Sequence, residues 1–139
     1  MGLTKKKREG DLKTPRGRFK FLTLMYRKDR INSINSGIKK KIIKKNMGWC
    51  DDSKSVNYNK IIKFPFKGSA EKLYLKNNNY DLILALNYNT RPVKKNMGSA
   101  IFLHIASKNF KPTKGCIAIK KEDLIKILPF ITNKTFIYI

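Results

Sequence analysis

Apolar residues in this chain come in short runs cut by turn-forming residues. The stretch Gly98–Ile119, GSAIFLHIASKNFKPTKGCIAI, displays this most clearly. Ala100–Ala106 and Cys116–Ile119 are apolar and rich in β-branched residues, and the SKNFKPTKG between them carries Ser, Asn, Pro and Gly. Runs this short, bounded by Gly and Pro, read as strands rather than helices. The stretch predicts a β-hairpin with a long loop. With its centre near Phe110, His104 faces Cys116 across the pair, with Cβ atoms within roughly 5 Å. Alternation puts His104 on the face opposite Leu103 and Ile105.

His104 is the only histidine, and Cys116 is one of two cysteines. A free thiol titrates near 8.5 and is mostly protonated at neutral pH. An adjacent imidazole can take that proton and leave the thiolate as nucleophile. Lys114 adds positive charge that favours the thiolate. Gly115 permits a tight turn whose N–H groups can point at a developing oxyanion. A second reading stands beside this one: a lone histidine and a small apolar cysteine on strands are commonly packing residues.

The residues FLH…PTKGCIAI resemble the active-site signature of the L,D-transpeptidase catalytic domain, the YkuD-like family. In that family a strand histidine precedes a Ser/Thr-His-Gly-Cys turn. The resemblance implies His104 as catalytic base, Cys116 as nucleophile, and Thr113 and Gly115 in the turn. Lys114 stands where many members carry a second histidine, and Ala118 where many carry Arg or Asn. The GDLKTPRGRFKF segment resembles the family's G-D…T-P-x-G-x-F element, and Gly48-Trp49-Cys50-Asp51-Asp52, followed by Tyr58-Asn59, resembles one branch of it. The implied fold is a mostly β sandwich with one or two short helices, in a single catalytic domain over residues 1–139. Members usually begin with further strands, so a chain shortened at the N-terminus is expected.

Other segments follow the same punctuation. Lys5–Arg8 reads as a mobile or edge segment. Thr14-Pro15-Arg16-Gly17 is a turn, with Pro fixing φ. Arg18–Tyr26 is a strand packing Phe19, Phe21, Leu24 and Tyr26. Residues 31–45 give a loop, then a short strand or helical turn. Residues 60–66 are a short strand, and Ser69–Leu75 is a helical turn capped by Ser69. Tyr80–Tyr88 is the most apolar run and the central strand. Residues 121–128 form a short amphipathic helix stopped by Pro129, and Thr135–Ile139 a closing strand.

The Met47–Asp52 segment allows three readings. Cys50 with Asp51 and Asp52 suggests a metal, but only His104 and Cys116 add soft ligands and no C-x-x-C occurs. Neither metal nor other cofactor is expected. The carboxylates of Asp51 or Asp52 bind the amine of a peptide, or the segment is a loop with Trp49 buried as a packing anchor. Substrate contacts are expected from Thr113, Lys114, Trp49, Asp51, Asp52 and, towards a carboxylate, Arg91.

Composition limits the partners. With 32 Lys and Arg against 9 Asp and Glu, the net charge is +23. That favours anionic partners: nucleic acid, acidic polymers or a carboxylate-bearing wall. No stretch of about 18 apolar residues spans a membrane. The MGLTKKKREGD start lacks the apolar core of a secretory signal. The resemblance implies peptidoglycan stem peptides as substrate and the cell envelope as location. It implies an enzyme that transfers an acyl group through a thioester on Cys116. The same site resolved by water is an L,D-carboxypeptidase. A small basic nucleic-acid-binding module is the alternative of another class, although no recognition motif supports it and no specific nucleic-acid partner is expected.

Overall fold

Strand-length apolar runs need partners on both edges, and the described residues supply them as eleven short strands and one α-helix. The computed structural model describes residues 2–139. In chain order the elements are β1 (Leu3–Thr4), β2 (Thr14–Pro15), β3 (Arg18–Tyr26), β4 (Lys40–Ile42), β5 (Met47–Cys50), β6 (Ile61–Lys63), β7 (Ala70–Lys72), β8 (Leu82–Leu86), β9 (Phe102–Ile105), β10 (Ile117–Ile119), α1 (Lys121–Ile127) and β11 (Phe136–Tyr138). The fold is mostly β, as expected.

The main sheet runs β10-β9-β8-β3-β11, with β4 alongside β3. The apolar run predicted as the central strand is β8, whose five residues are all buried. Alternation along β8 and β9 splits their side chains between two apolar clusters. Leu82, Leu84, Leu86, Leu103 and Ile105 join Leu124 and Leu128 in one. Ile83, Ala85 and Phe102 join Met47, Trp49 and Leu73 in the other. The second cluster therefore lies between the main sheet and the small sheet β6-β5-β7. The helix covers the opposite face.

Four expectations are corrected. The His104 and Cys116 strands do not form a hairpin: β9 and β10 pair in parallel, with Ala118 beside His104. A four-residue strand is only about 13 Å long. The turn-rich segment between them can retrace that length and re-enter in the same direction. The Ser69–Leu75 stretch is strand β7, not a helical turn. An isolated turn of helix is marginal, whereas the free edge of β5 offers Ala70, Glu71 and Lys72 a ladder. The Met47–Asp52 segment is not wholly a loop, since Met47–Cys50 is the fully buried centre of the small sheet. Within the Lys5–Arg8 segment, Lys7 is buried. Its ammonium is paired with Asp11 and donates to the Arg8 carbonyl at 3.0 Å.

Pro129 does not stop the chain abruptly. It enters a 3₁₀ turn, Leu128–Phe130, directly after α1. Proline is tolerated there because the first turn of a helix has N–H groups without intrahelical partners.

Candidate active site

β9 presents His104 on the face shared with Phe102, away from Leu103 and Ile105. Cys116 enters one residue before β10, so it shares a face with Ala118 and hence with His104. Both side chains line one cavity of about 800 Å³. The imidazole is oriented from below and from the side. Its Nδ1 lies 2.9 Å from the Ile105 carbonyl. A neutral ring donating there leaves Nε2 as the acceptor, the form a base needs. Tyr80 meets the ring edge-on at 5.1 Å. Tyr80 also packs edge-on against Phe102, and Phe102 against Trp49, giving a continuous aromatic wall behind the site.

The thiol donates to the Ala100 carbonyl at 3.1 Å. Burial pushes its pKa up to about 12, and the negative charge of Glu71 adds to the rise; the Phe102 N–H and the Lys7 charge oppose it. Burial also lowers the pKa of His104, against the pull of the Ile105 and Asn79 carbonyls. At neutral pH the pair therefore rests as neutral thiol and neutral imidazole. Lys114 lines the cavity but does not act on the sulphur as the sequence suggested; its charge acts on Glu71, and Lys7 is the cation that favours the thiolate.

Glu71 accepts a hydrogen bond from the Tyr80 hydroxyl. Burial and the neighbouring Asp51 raise its pKa, while Tyr80 and Lys114 hold it down. Asp51 also lines the cavity, and its Oδ1 is buried without a hydrogen-bond partner.

The turn before Cys116 is fixed from two sides. Thr113 Oγ1 donates to the Cys116 carbonyl at 2.6 Å. Gly115 has φ +111°, and a Cβ there would lie 2.7 Å from the Lys13 carbonyl oxygen. Only glycine meets both demands. The N-terminal segment thus presses on the turn before Cys116. Lys7, Glu9, Gly10 and Leu12 form part of the cavity wall. Glu9 accepts hydrogen bonds from Tyr58 and Ser99, which anchors that wall. A second cavity of about 440 Å³ has Cys116 and Ala118 in its lining and is otherwise walled mainly by apolar groups such as Phe110, Ile117 and Ile137.

The family model described as the YkuD L,D-transpeptidase catalytic domain matches residues 1–139, the whole chain. The chain belongs to that family. Comparison with curated proteins and with solved structures gave no match. Membership implies an enzyme of the L,D-transpeptidase type; the family as a whole acts on peptidoglycan and is generally associated with the cell wall. No helix among the described residues is long and apolar enough to cross a membrane.

The cavity of about 800 Å³ collects His104, Cys116, Thr113, Lys114 and Asp51 from the residues singled out in the sequence. Gly115 lies in the turn that delivers the thiol. Trp49 is buried behind the cavity, its indole N–H donating to Asn59 at 2.9 Å. Asp52 caps its own turn by accepting from the Lys54 N–H at 3.0 Å. Arg91 is exposed in the turn after β8 and lines neither cavity.

Sequence reasoning missed Lys7, Glu71 and Tyr80. Tyr80 was visible as the aromatic start of the central apolar run. Glu71 had no signal of its own, because its segment reads as helical.

Proposed function

We propose that this L,D-transpeptidase family member acylates Cys116 with a peptidoglycan stem peptide and passes the acyl group to an amine of a second stem. Sγ attacks the carbonyl of the L-centre next to a terminal D-residue. His104 Nε2 takes the thiol proton, the C–S bond forms, and the C–N bond breaks as His104 returns the proton to the leaving amine. The acceptor amine then attacks the thioester carbonyl, loses a proton to His104, and expels the thiolate, which is reprotonated. N–H groups of the Gly115-Cys116 turn stabilise the oxyanion in both steps. Because the resting pair is neutral, proton transfer and attack are coupled rather than sequential.

Lys114 is suited to a substrate carboxylate and Asp51 to a substrate ammonium. Trp49 acts through the wall behind the base. Asp52 and Arg91, which line neither cavity, act on more distant parts of a polymeric substrate.

The observation that carries this reading is that His104 and Cys116 line one cavity, with the Gly115 turn immediately before the thiol. Intact-mass analysis with muropeptides tests it. The expected result is an acyl adduct on wild type, none on Cys116→Ala, and crosslinked product when a second stem is added. Adduct formation with release of free acid alone identifies the L,D-carboxypeptidase variant of the reaction. No adduct on Cys116 with any stem peptide overturns the proposal.

A further inference from the structure

The thiol's acceptor, Ala100, has an unusual backbone. Its φ is +51°, in the left-handed region that a residue with a Cβ adopts only when its surroundings enforce it. One side chain does the enforcing. Asn59 Oδ1 accepts from the Ala100 N–H at 3.0 Å and from the Trp49 indole N–H at 2.9 Å. Its Nδ2 donates to the carbonyls of Tyr88 at 3.1 Å and Asn89 at 2.7 Å. The amide thus uses both lone pairs and both hydrogens, and it is 4% exposed. Asn59 itself has φ +57°, and its own N–H bonds the Cys50 carbonyl at 2.9 Å. It links β5, the turn after β8 and the segment entering β9 at one point.

From this network we infer that Asn59 is a positioning residue for the nucleophile: by holding the Ala100 N–H it fixes the left-handed backbone of Ala100, so that the carbonyl of the next peptide unit accepts the Cys116 thiol. This rests on the reading of Cys116 as nucleophile. The consequence is chemical as well as geometric. A carbonyl oxygen facing sulphur accepts from the thiol and repels the thiolate, so it favours the protonated form. It also selects the rotamer from which attack begins. Release of Ala100 therefore does two things at once. It slows acylation, because a displacement near 1 Å at a reacting group costs up to about a hundredfold. It also lowers the pH at which the thiol ionises. A residue that served stability alone would lower the folded fraction and leave the titration of the folded molecule unchanged.

The test is the rate of Cys116 alkylation by iodoacetamide against pH, in a Cys50→Ala background so that one thiol reports. Asn59→Gly removes the side chain and retains the positive φ. The expected result is a midpoint about one pH unit lower, a tenfold change in the ionisation constant, with kcat for stem-peptide acylation down at least about tenfold and KM little changed. Asn59→Asp keeps the oxygen that holds Ala100 and is expected to have a midpoint at or above that of wild type. A lowered midpoint in Asn59→Asp overturns the inference, whether or not Asn59→Gly folds, as does an unchanged midpoint in folded Asn59→Gly. Hydrogen exchange on the unmutated chain gives a check independent of folding. The Ala100 amide is expected to exchange only by global unfolding, and exchange at the rate of an open loop overturns the inference. Alkylation needs no stem peptide, so failure of the acylation assay alone counts against the proposed reaction and not against Asn59.

Discussion

The two faces of β8 and β9 are built from the same nine residues and behave differently. One face carries Leu82, Leu84, Leu86, Leu103 and Ile105, packed on aliphatic neighbours and α1. The other carries Ile83, Ala85, Phe102 and His104, packed on aromatic rings, a thiol and the small sheet. The first face needs only volume and burial, about 25 cal/mol per Å² of apolar surface. The second also needs direction: edge-to-face rings, a satisfied amide at Asn59 and left-handed backbone at Ala100 and Gly115. Desolvation on that face is used rather than avoided. It keeps the thiol and the imidazole both neutral until a substrate arrives. Stability and chemistry thus share strands while remaining separable by side-chain parity.

The largest effect that sharpens this contrast lies at the two cysteines. Cys116→Ala is expected to abolish turnover, and Cys50→Ala to leave most of it. Cys50 is fully buried in β5 and lines neither cavity. Equal loss in both folded variants breaks the assignment. Next comes His104→Gln, expected to fold and to slow thioester formation by about 10²–10⁴-fold, read by stopped-flow or quenched mass spectrometry. In wild type the acid limb of acylation is expected below the ordinary histidine value near 6.5, because burial lowers the His104 pKa. Alkylation without substrate is expected to keep rising well past the ordinary thiol value, towards about 12. An acid limb above 6.5 or an alkylation midpoint at or below 8.5 contradicts the shifts that burial imposes on the pair.

On the aliphatic face, Leu84→Ala is expected to cost about 2–5 kcal/mol of stability by leaving a cavity, measured by denaturant unfolding. The alkylation midpoint of the folded protein stays in place; if it moves with Leu84, the faces are coupled and the separation fails. A smaller effect is expected from Glu71→Gln. Removing a negative charge that opposes the thiolate lowers the alkylation midpoint and speeds alkylation severalfold at a fixed pH above neutrality. No shift, or an upward one, removes Glu71 from the electrostatics of the site. The smallest effect separates charge from catalysis. Added salt up to about 0.5 M is expected to weaken adsorption to peptidoglycan by screening exposed lysines, yet to change turnover of a small soluble stem peptide little. Tight, selective nucleic-acid binding at about 150 mM salt without acylation of Cys116 favours the basic binding module instead.

The sequence by itself determined the class of fold, because short apolar runs between Gly, Pro and Asn leave little room for long helices. Phe19, Phe21, Leu24 and Tyr26 all pack on the aliphatic cluster, although only the register irregularity between Phe21 and Thr23 brings the odd and even positions to one face. It also determined the candidate pair, since His104, Cys116 and the Thr-Lys-Gly turn are local features with few alternatives. Local periodicity carries no information about strand direction. An antiparallel hairpin and a parallel return are equally consistent with the residues between Ala106 and Cys116, and only tertiary pairing chose the second. Nor could sequence bring Glu71, Lys7 and Asn59 to the thiol, because their distances in the chain are bridged by sheet pairing and buried hydrogen bonds. The titration of Cys116 was decided in the same way. A pKa depends on what surrounds a group in space, and here that is burial, a carboxylate from β7, the Phe102 N–H and the ammonium of Lys7.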